Sequence, residues 1–181
     1  MPMTILIALG SNRRHGRHGT PGRVLRAALA ALQQSGGHDI GVTAASSVWI
    51  TPALGPGGRT YANMAAALET ALPPEELLAR LHEVEAAFGR RRYRRWGARV
   101  LDLDLLAYGE AVRPSRHRWP GTRTRVRAAS RALVLPHPEM HRRAFVLGPL
   151  LGIAPDWRHP VLGLTVRQMS ARLRRPRVSV G

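Results

Sequence analysis

The sequence predicts an α+β protein in which helices cover one antiparallel sheet. Three observations carry that prediction. Runs of strand character at 4–9, 42–50, 61–70 and 99–108 are separated by stretches of helical spacing. Their order is strand, helix, strand, strand, helix, strand, followed by a helical C-terminal part. The length of 181 residues suits one ordinary domain, and a chain of that size buries roughly 70% of its unfolded surface.

Each element has a local reason. TILIAL (4–9) is a short apolar run closed by Gly10-Ser11-Asn12, hence strand and turn. Residues 13–22 are rich in Arg, His and Gly and read as loop. Val24, Leu25, Ala28, Leu29 and Leu32 fall at helical spacing within 23–35. Val42, Ala44, Ser46, Val48 and Ile50 alternate as in a strand, and TPALGPGGRT is a Pro/Gly loop. From Tyr61 to Thr70 a partner strand is expected. Tyr61, Asn63, Ala65 and Ala67 share one face, and Ala62, Met64, Ala66 and Leu68 the other. Pro73 and Pro74 open the next helix, Glu75 and Glu76 suit its positive end, and Gly89 stops it. Its buried stripe is Leu77, Leu78, Leu81, Val84 and Phe88. Residues 90–95 read as loop, 99–108 as strand, 110–132 as a long arginine-rich irregular insertion, and about 164–173 as a last helix. A basic tail, 174–181, closes a chain read as one domain over 1–181.

Composition bounds the function. There is no cysteine, so disulfides, thiolate zinc sites and cysteine nucleophiles are excluded, and a reducing cytoplasm is the expected compartment. The N-terminus reads as a strand rather than a signal peptide, and no apolar run is long enough to span a membrane. The net charge of +17, carried wholly by arginine, attracts phosphates on nucleotides or nucleic acid. A nucleic-acid binder explains the charge. It does not explain acidic groups beside it, and aromatics at 5% are poor material for stacking platforms.

Those acidic groups are Asp102 and Asp104, in a strand where Leu101, Leu103 and Leu105 point to the core. Strand geometry sets the two aspartates on one face, Cα atoms ~7 Å apart. Two carboxylates side by side repel, and burying either unpaired is costly. Either they face solvent and pair with arginines, or they hold a hard divalent cation such as Mg²⁺, which accepts one or two carboxylates and completes its shell with water and phosphates. Five of the six residues from Arg90 to Arg95 are arginines, and Arg99 follows. Guanidinium forks hold phosphate oxygens bidentately. Carboxylates for metal and arginines for polyphosphate together suit phosphoryl transfer.

RWGARVLDLDLLAYG (95–109) closely resembles the signature of the 6-hydroxymethyl-7,8-dihydropterin pyrophosphokinase family. ALGSN (8–12), SSVWITPALGP (46–56), YANMAAALET (61–70) and LPHPEMHRRAFVLGPLLGIAP (135–155) resemble further family segments in the same order. The resemblance implies a ferredoxin-like antiparallel sheet (βαββαβ) with extra C-terminal helices. It implies transfer of pyrophosphate from ATP to a reduced pterin in folate biosynthesis, releasing AMP, by a monomer with small-molecule partners and no membrane or nucleic-acid role. By the same resemblance Asp102 and Asp104 hold two Mg²⁺ ions, and Arg90 and Arg99 join them as catalytic residues. Glu85, Arg92, Trp96, His137 and Arg143 match the ATP side. Thr51, Pro52, Leu54, Tyr61, Asn63, Trp96 and Phe145 match the pterin pocket, where Tyr61 and Phe145 suit the faces of a flat heterocycle and Asn63 its amide edge. The chain departs from the family pattern at His82, Ala132 and Val134, and through the longer 110–132 segment. A different Mg²⁺-dependent nucleotidyl or phosphotransferase on this fold is the neighbouring alternative. His82, His117 and His141 read as surface or packing residues.

Overall fold

The apolar run near the N-terminus forms the central strand of the sheet. The computed structural model describes residues 3–34, 39–52, 60–89, 100–122 and 132–174. Its elements are β1 (Ile5–Ser11), α1 (Pro21–Gln34), β2 (Ile40–Ala45), β3 (Trp49–Thr51), β4 (Tyr61–Thr70), α2 (Pro74–Ala87), β5 (Asp102–Tyr108), α3 (Ala144–Leu151) and α4 (Val166–Arg174). Strand order is β2-β4-β1-β5, with β3 also on β4, and the pairings are antiparallel. β1 therefore has neighbours on both sides, and helices cover both its faces. That is why it is apolar throughout rather than alternating.

Ile5, Ile7 and Leu9 of β1 join Ala62, Met64, Ala66 and Leu68 of β4 and Leu103 and Leu105 of β5 in one core. α1 covers it with Val24, Leu25, Ala28, Leu29 and Leu32, and α2 with Leu77, Leu81 and Val84. The opposite face packs Leu6, Ala65, Leu106 and Ala107 against Val146, Leu147 and Leu150 of α3 and Val166 and Met169 of α4. The two faces of β4 divide as the alternation predicts. α2 ends at Gly89 with φ +84, a left-handed conformation that favours glycine.

Two expectations need correction. Val42 to Ile50 does not form one strand. Ala45 pairs with Ala66 and Trp49 with Asn63, so β2–β3 carries an extra residue against β4. The cause is Ser46, whose N–H donates to Ala65 O (2.9 Å) while its Oγ accepts the Ala65 N–H (3.0 Å). A hydroxyl stands where a backbone carbonyl would, and this second shift undoes the change of face made by an earlier one between Val42 and Ala44. The start of the 110–132 segment is also more structured than its composition suggests. Two 3₁₀ turns, Arg116–Arg118 and Pro120–Thr122, flank a buried Trp119.

His159 is fully buried, its Nδ1 accepting the N–H groups of Val161 and Leu162 at 3.2 Å. Burial, with His141 nearby, lowers its pKa to about 4 from the usual 6.5. The unfolded chain therefore takes a proton here at higher pH than the folded chain does. Stability from this site is complete above about pH 6.5 and is lost as pH falls toward about 4. Melting followed across that range should show Tm falling with acid, and His159→Asn, though less stable at neutral pH, should show a shallower fall.

Candidate functional site

Cross-strand register builds the site as a row. Asp102 pairs with Gly10, Gly10 with Asn63, and Asn63 with Trp49, so one line crosses the sheet from β5 to β3. A second line runs from Asp104 through Ala8 to Ala65. Directly paired residues share a face, and this is the face that α3 and α4 cover further along. Both aspartates are half-buried and point to the same side, as strand alternation requires. Gly10 and Ala8 keep the floor between the acids and Asn63 flat. A Cβ on Gly10 would stand 3.8 Å from Asn63 Oδ1, so a longer side chain there would intrude between the two.

β5 is an edge strand, and its backbone is held on its free side. Glu85, in the last turn of α2 and only 2% exposed, accepts the Leu103 N–H at 2.8 Å through Oε1. Leu103 lies between the two aspartates, so this bond fixes the backbone from which both project. Glu85, expected on the ATP side, thus sits directly behind the acid pair. Further along, His137 N–H donates to Leu106 O (2.8 Å), tying the 135–143 segment to the same strand.

His137 Nδ1 accepts the Glu139 N–H at 3.2 Å, which leaves Nε2 to carry the proton of the neutral ring. Burial pushes the His137 pKa below the ordinary histidine value; Asp104 pulls it upward, and the Arg143 guanidinium adds to the lowering. His137 thus lies within the electrostatic reach of both groups. The Arg143 guanidinium stands 5.8 Å from the Phe145 ring centroid. His137 is therefore near both Asp104 and Arg143, and Arg143 is near Phe145.

The other end of the row is a polar and aromatic platform. Asn63 Nδ2 donates to Thr51 Oγ1 at 3.0 Å, fixing the amide. Tyr61, paired with Thr51, lies two residues from Asn63 on its face. Tyr61, Trp49 and Phe145 are 41%, 41% and 42% exposed, which is unusual for rings of this size beside a core. Trp49 covers Gly148 of α3 so closely that a Cβ there would come within 2.5 Å of its ring. Gly148 is three residues from Phe145 on one helix face, so Trp49 joins the same wall. Sequence reasoning did not single out Trp49. The available signal was a large aromatic four residues before Pro/Gly loop residue Ala53 in an otherwise small-residue segment. Pro52 lies exposed at the end of β3. Leu54, Arg90, Arg92, Trp96 and Arg99 lie outside the described residues; Gly89 and Val100 bound the stretch that holds the last four.

Among the described residues no group of three or more His, Cys, Asp or Glu side chains is placed to hold a metal. His82 and His117 are exposed, while His141 packs against Trp119. No helix among the described residues is long and apolar enough to cross a membrane.

A family model described as 7,8-dihydro-6-hydroxymethylpterin-pyrophosphokinase (HPPK) matches residues 6–155. Three relatives, each named 2-amino-4-hydroxy-6-hydroxymethyldihydropteridine pyrophosphokinase, are 39% identical. The match covers 80% of this chain and 66% of the Synechocystis sp. protein. It covers 85% of this chain and 83% of the Haemophilus influenzae protein. For Methylorubrum extorquens the shares are 92% and 91%. Among solved structures, an HPPK-DHPS in complex with substrates superposes with TM-score 0.63 at 10% identity, over 95% of this chain. Wild-type Plasmodium falciparum HPPK-DHPS with pteroate gives TM-score 0.62 at 11% identity. These two establish a shared fold, and this chain spans 43% and 44% of their lengths.

Removing the Glu85 carboxylate leaves the Leu103 N–H without this buried acceptor. Glu85→Ala should lower unfolding free energy by about 1–3 kcal/mol, measured as a lower urea midpoint.

Proposed function

The chain belongs to the 7,8-dihydro-6-hydroxymethylpterin-pyrophosphokinase family, and from that membership we propose that it transfers the pyrophosphoryl group of ATP to the hydroxymethyl oxygen of 6-hydroxymethyl-7,8-dihydropterin. The products are AMP and the pterin diphosphate, an intermediate of folate synthesis. One observation carries the reading: the row in which Asp102, Gly10 and Asn63 lie side by side across three strands. It sets an acid pair suited to a metal-bound triphosphate and an amide suited to a pterin edge on one face, with only glycine between them.

The hydroxymethyl oxygen attacks the β-phosphorus, the bond from that phosphorus to the bridging oxygen of the α-phosphate breaks, and the hydroxyl proton is lost. The donor set fits two Mg²⁺ ions. Two hard carboxylates on one face, both half-buried, leave coordination positions for water and phosphate oxygens rather than closing a cage. Magnesium bound to Asp102 and Asp104 would supply charge neutralisation at the phosphate oxygens. Arg90, Arg92, Arg99 and Arg143 hold the anionic chain, with Arg90 and Arg99 in the catalytic role that the resemblance implies. Phosphoryl transfer depends on such positioning and charge stabilisation more than on covalent steps. His137, neutral with its proton on Nε2, donates to the nucleotide.

The pterin lies against Tyr61, Phe145 and Trp49, with Asn63, Thr51, Pro52 and Leu54 along its edge. The family resemblance assigns Trp96 to both substrates; a ring there would help exclude water that would compete for the phosphate. The enzyme acts as a monomer in the reducing cytoplasm, a compartment that a chain without cysteine tolerates.

Incubation with ATP, Mg²⁺ and 6-hydroxymethyl-7,8-dihydropterin should yield AMP and the pterin diphosphate; absence of both products overturns the reading. Asp102→Ala and Asp104→Ala should each abolish AMP formation while leaving the melting curve cooperative. Tyr61→Ala should raise KM for the pterin about 10-fold, the scale of losing one stacked ring, with kcat changed far less.

A further inference from the structure

The 110–132 segment has no part in the chemistry above, yet its described portion is fastened to the 135–143 segment that carries His137. Arg113 N–H donates to Leu135 O (2.8 Å), and Leu135 N–H returns to Arg113 O (3.3 Å). Trp119 Nε1–H donates to Pro136 O at 2.7 Å, and Arg142 Nη2 donates to Gly121 O at 3.0 Å. Arg116 adds a bond to Pro160 O. Attachments therefore fall at 135, 136 and 142, on both sides of His137 and next to Arg143.

Trp119 is the anchor of this clasp. It is 2% exposed, with ring centroids 5.0 Å from His159 and 5.8 Å from His141. A Cβ at Gly121 would come within 2.0 Å of its ring, so the turn after the tryptophan is closed tightly over it. A buried indole needs a partner for its N–H, and the partner it has found is the carbonyl immediately before His137. His137 N–H then reaches Leu106 O, two residues beyond Asp104.

We propose that Trp119 is a positioning residue for the nucleotide side of the site, acting through the Pro136 carbonyl on His137 and Arg143. The inference rests on the pyrophosphokinase reading, in which those two residues hold ATP. The pterin platform, built on β3, β4 and Phe145, has no hydrogen bond to this clasp among the described residues, so the two substrates should respond differently.

Trp119→Phe keeps an aromatic ring, though a smaller one, and removes the N–H. With an ATP analogue carrying an α,β-methylene bridge, its dissociation constant should rise about 5-fold, the scale of one lost hydrogen bond. Pterin affinity, measured at saturating analogue, should change less than about 2-fold on the same scale. Gly121→Ala, which forces the indole to move, should show the same split. Unchanged analogue affinity in both variants overturns the proposal, as does a loss of both affinities together, which a general weakening of the fold would give. Failure of the unaltered chain to bind the analogue would remove the pyrophosphokinase reading itself, and the proposal with it.

Discussion

Everything at this site depends on keeping two like charges on one side of an edge strand. Strand geometry forces Asp102 and Asp104 to the same face, and their mutual repulsion favours any distortion that separates them. An edge strand is the weakest place to resist this, because one side of its backbone has no neighbouring strand. Here β1 pairs one side, through Gly10 and Ala8 opposite the two acids. Glu85 takes the Leu103 N–H on the other, and the His137 N–H secures Leu106 O just beyond. The 135–143 segment is thereby attached to the element that most needs holding.

The same face must also offer room. The two rows that carry the acids have only Gly10 and Ala8 beside them on β1, with Asn63 and Ala65 next on β4. Trp49 belongs to the same face. Two register shifts, one between Val42 and Ala44 and one at Ser46, put two extra residues on β2–β3 against β4 and cancel in parity. Trp49 therefore lies on the face opposite Val42, beside Asn63 and over Gly148, and the Ser46 hydroxyl restores after the first shift the face that simple alternation assigns.

This separates what the sequence made legible from what it did not. β4 came out with both ends correct, Tyr61 and Thr70, because period-two alternation is local. The five buried residues of α1 followed equally well from helical spacing. Asn63, Thr51, Tyr61, His137, Arg143 and Phe145 were named through family resemblance and the aspartates through strand alternation as well; register sets the aspartates, Asn63, Thr51 and Tyr61 on one face, while His137 joins β5 through the Leu106 carbonyl. The bulge was not legible, since it depends on a hydroxyl competing with backbone bonds. Trp119 was not, because its partners lie at 136, 141 and 159, and its own neighbours are arginine, proline and glycine. Composition marks that segment as surface, while one side chain draws it into the core.

The arginine excess fits the same economy of sign. With 28 basic and 11 acidic residues, carboxylates cannot neutralise the arginines one for one. The ion pairs seen at Arg80–Glu83, Arg113–Glu75 and Arg167–Asp156 are exposed and individually weak. Their collective field acts at longer range, drawing polyphosphates toward the surface before any specific contact forms. Asp102 and Asp104 oppose that field locally. A bare triphosphate would be repelled at the acids, whereas one carrying divalent cations would meet arginines for its oxygens and carboxylates for its metals. In the proposed reaction, a small negative site within a large positive field would favour the metal-loaded nucleotide over the bare one.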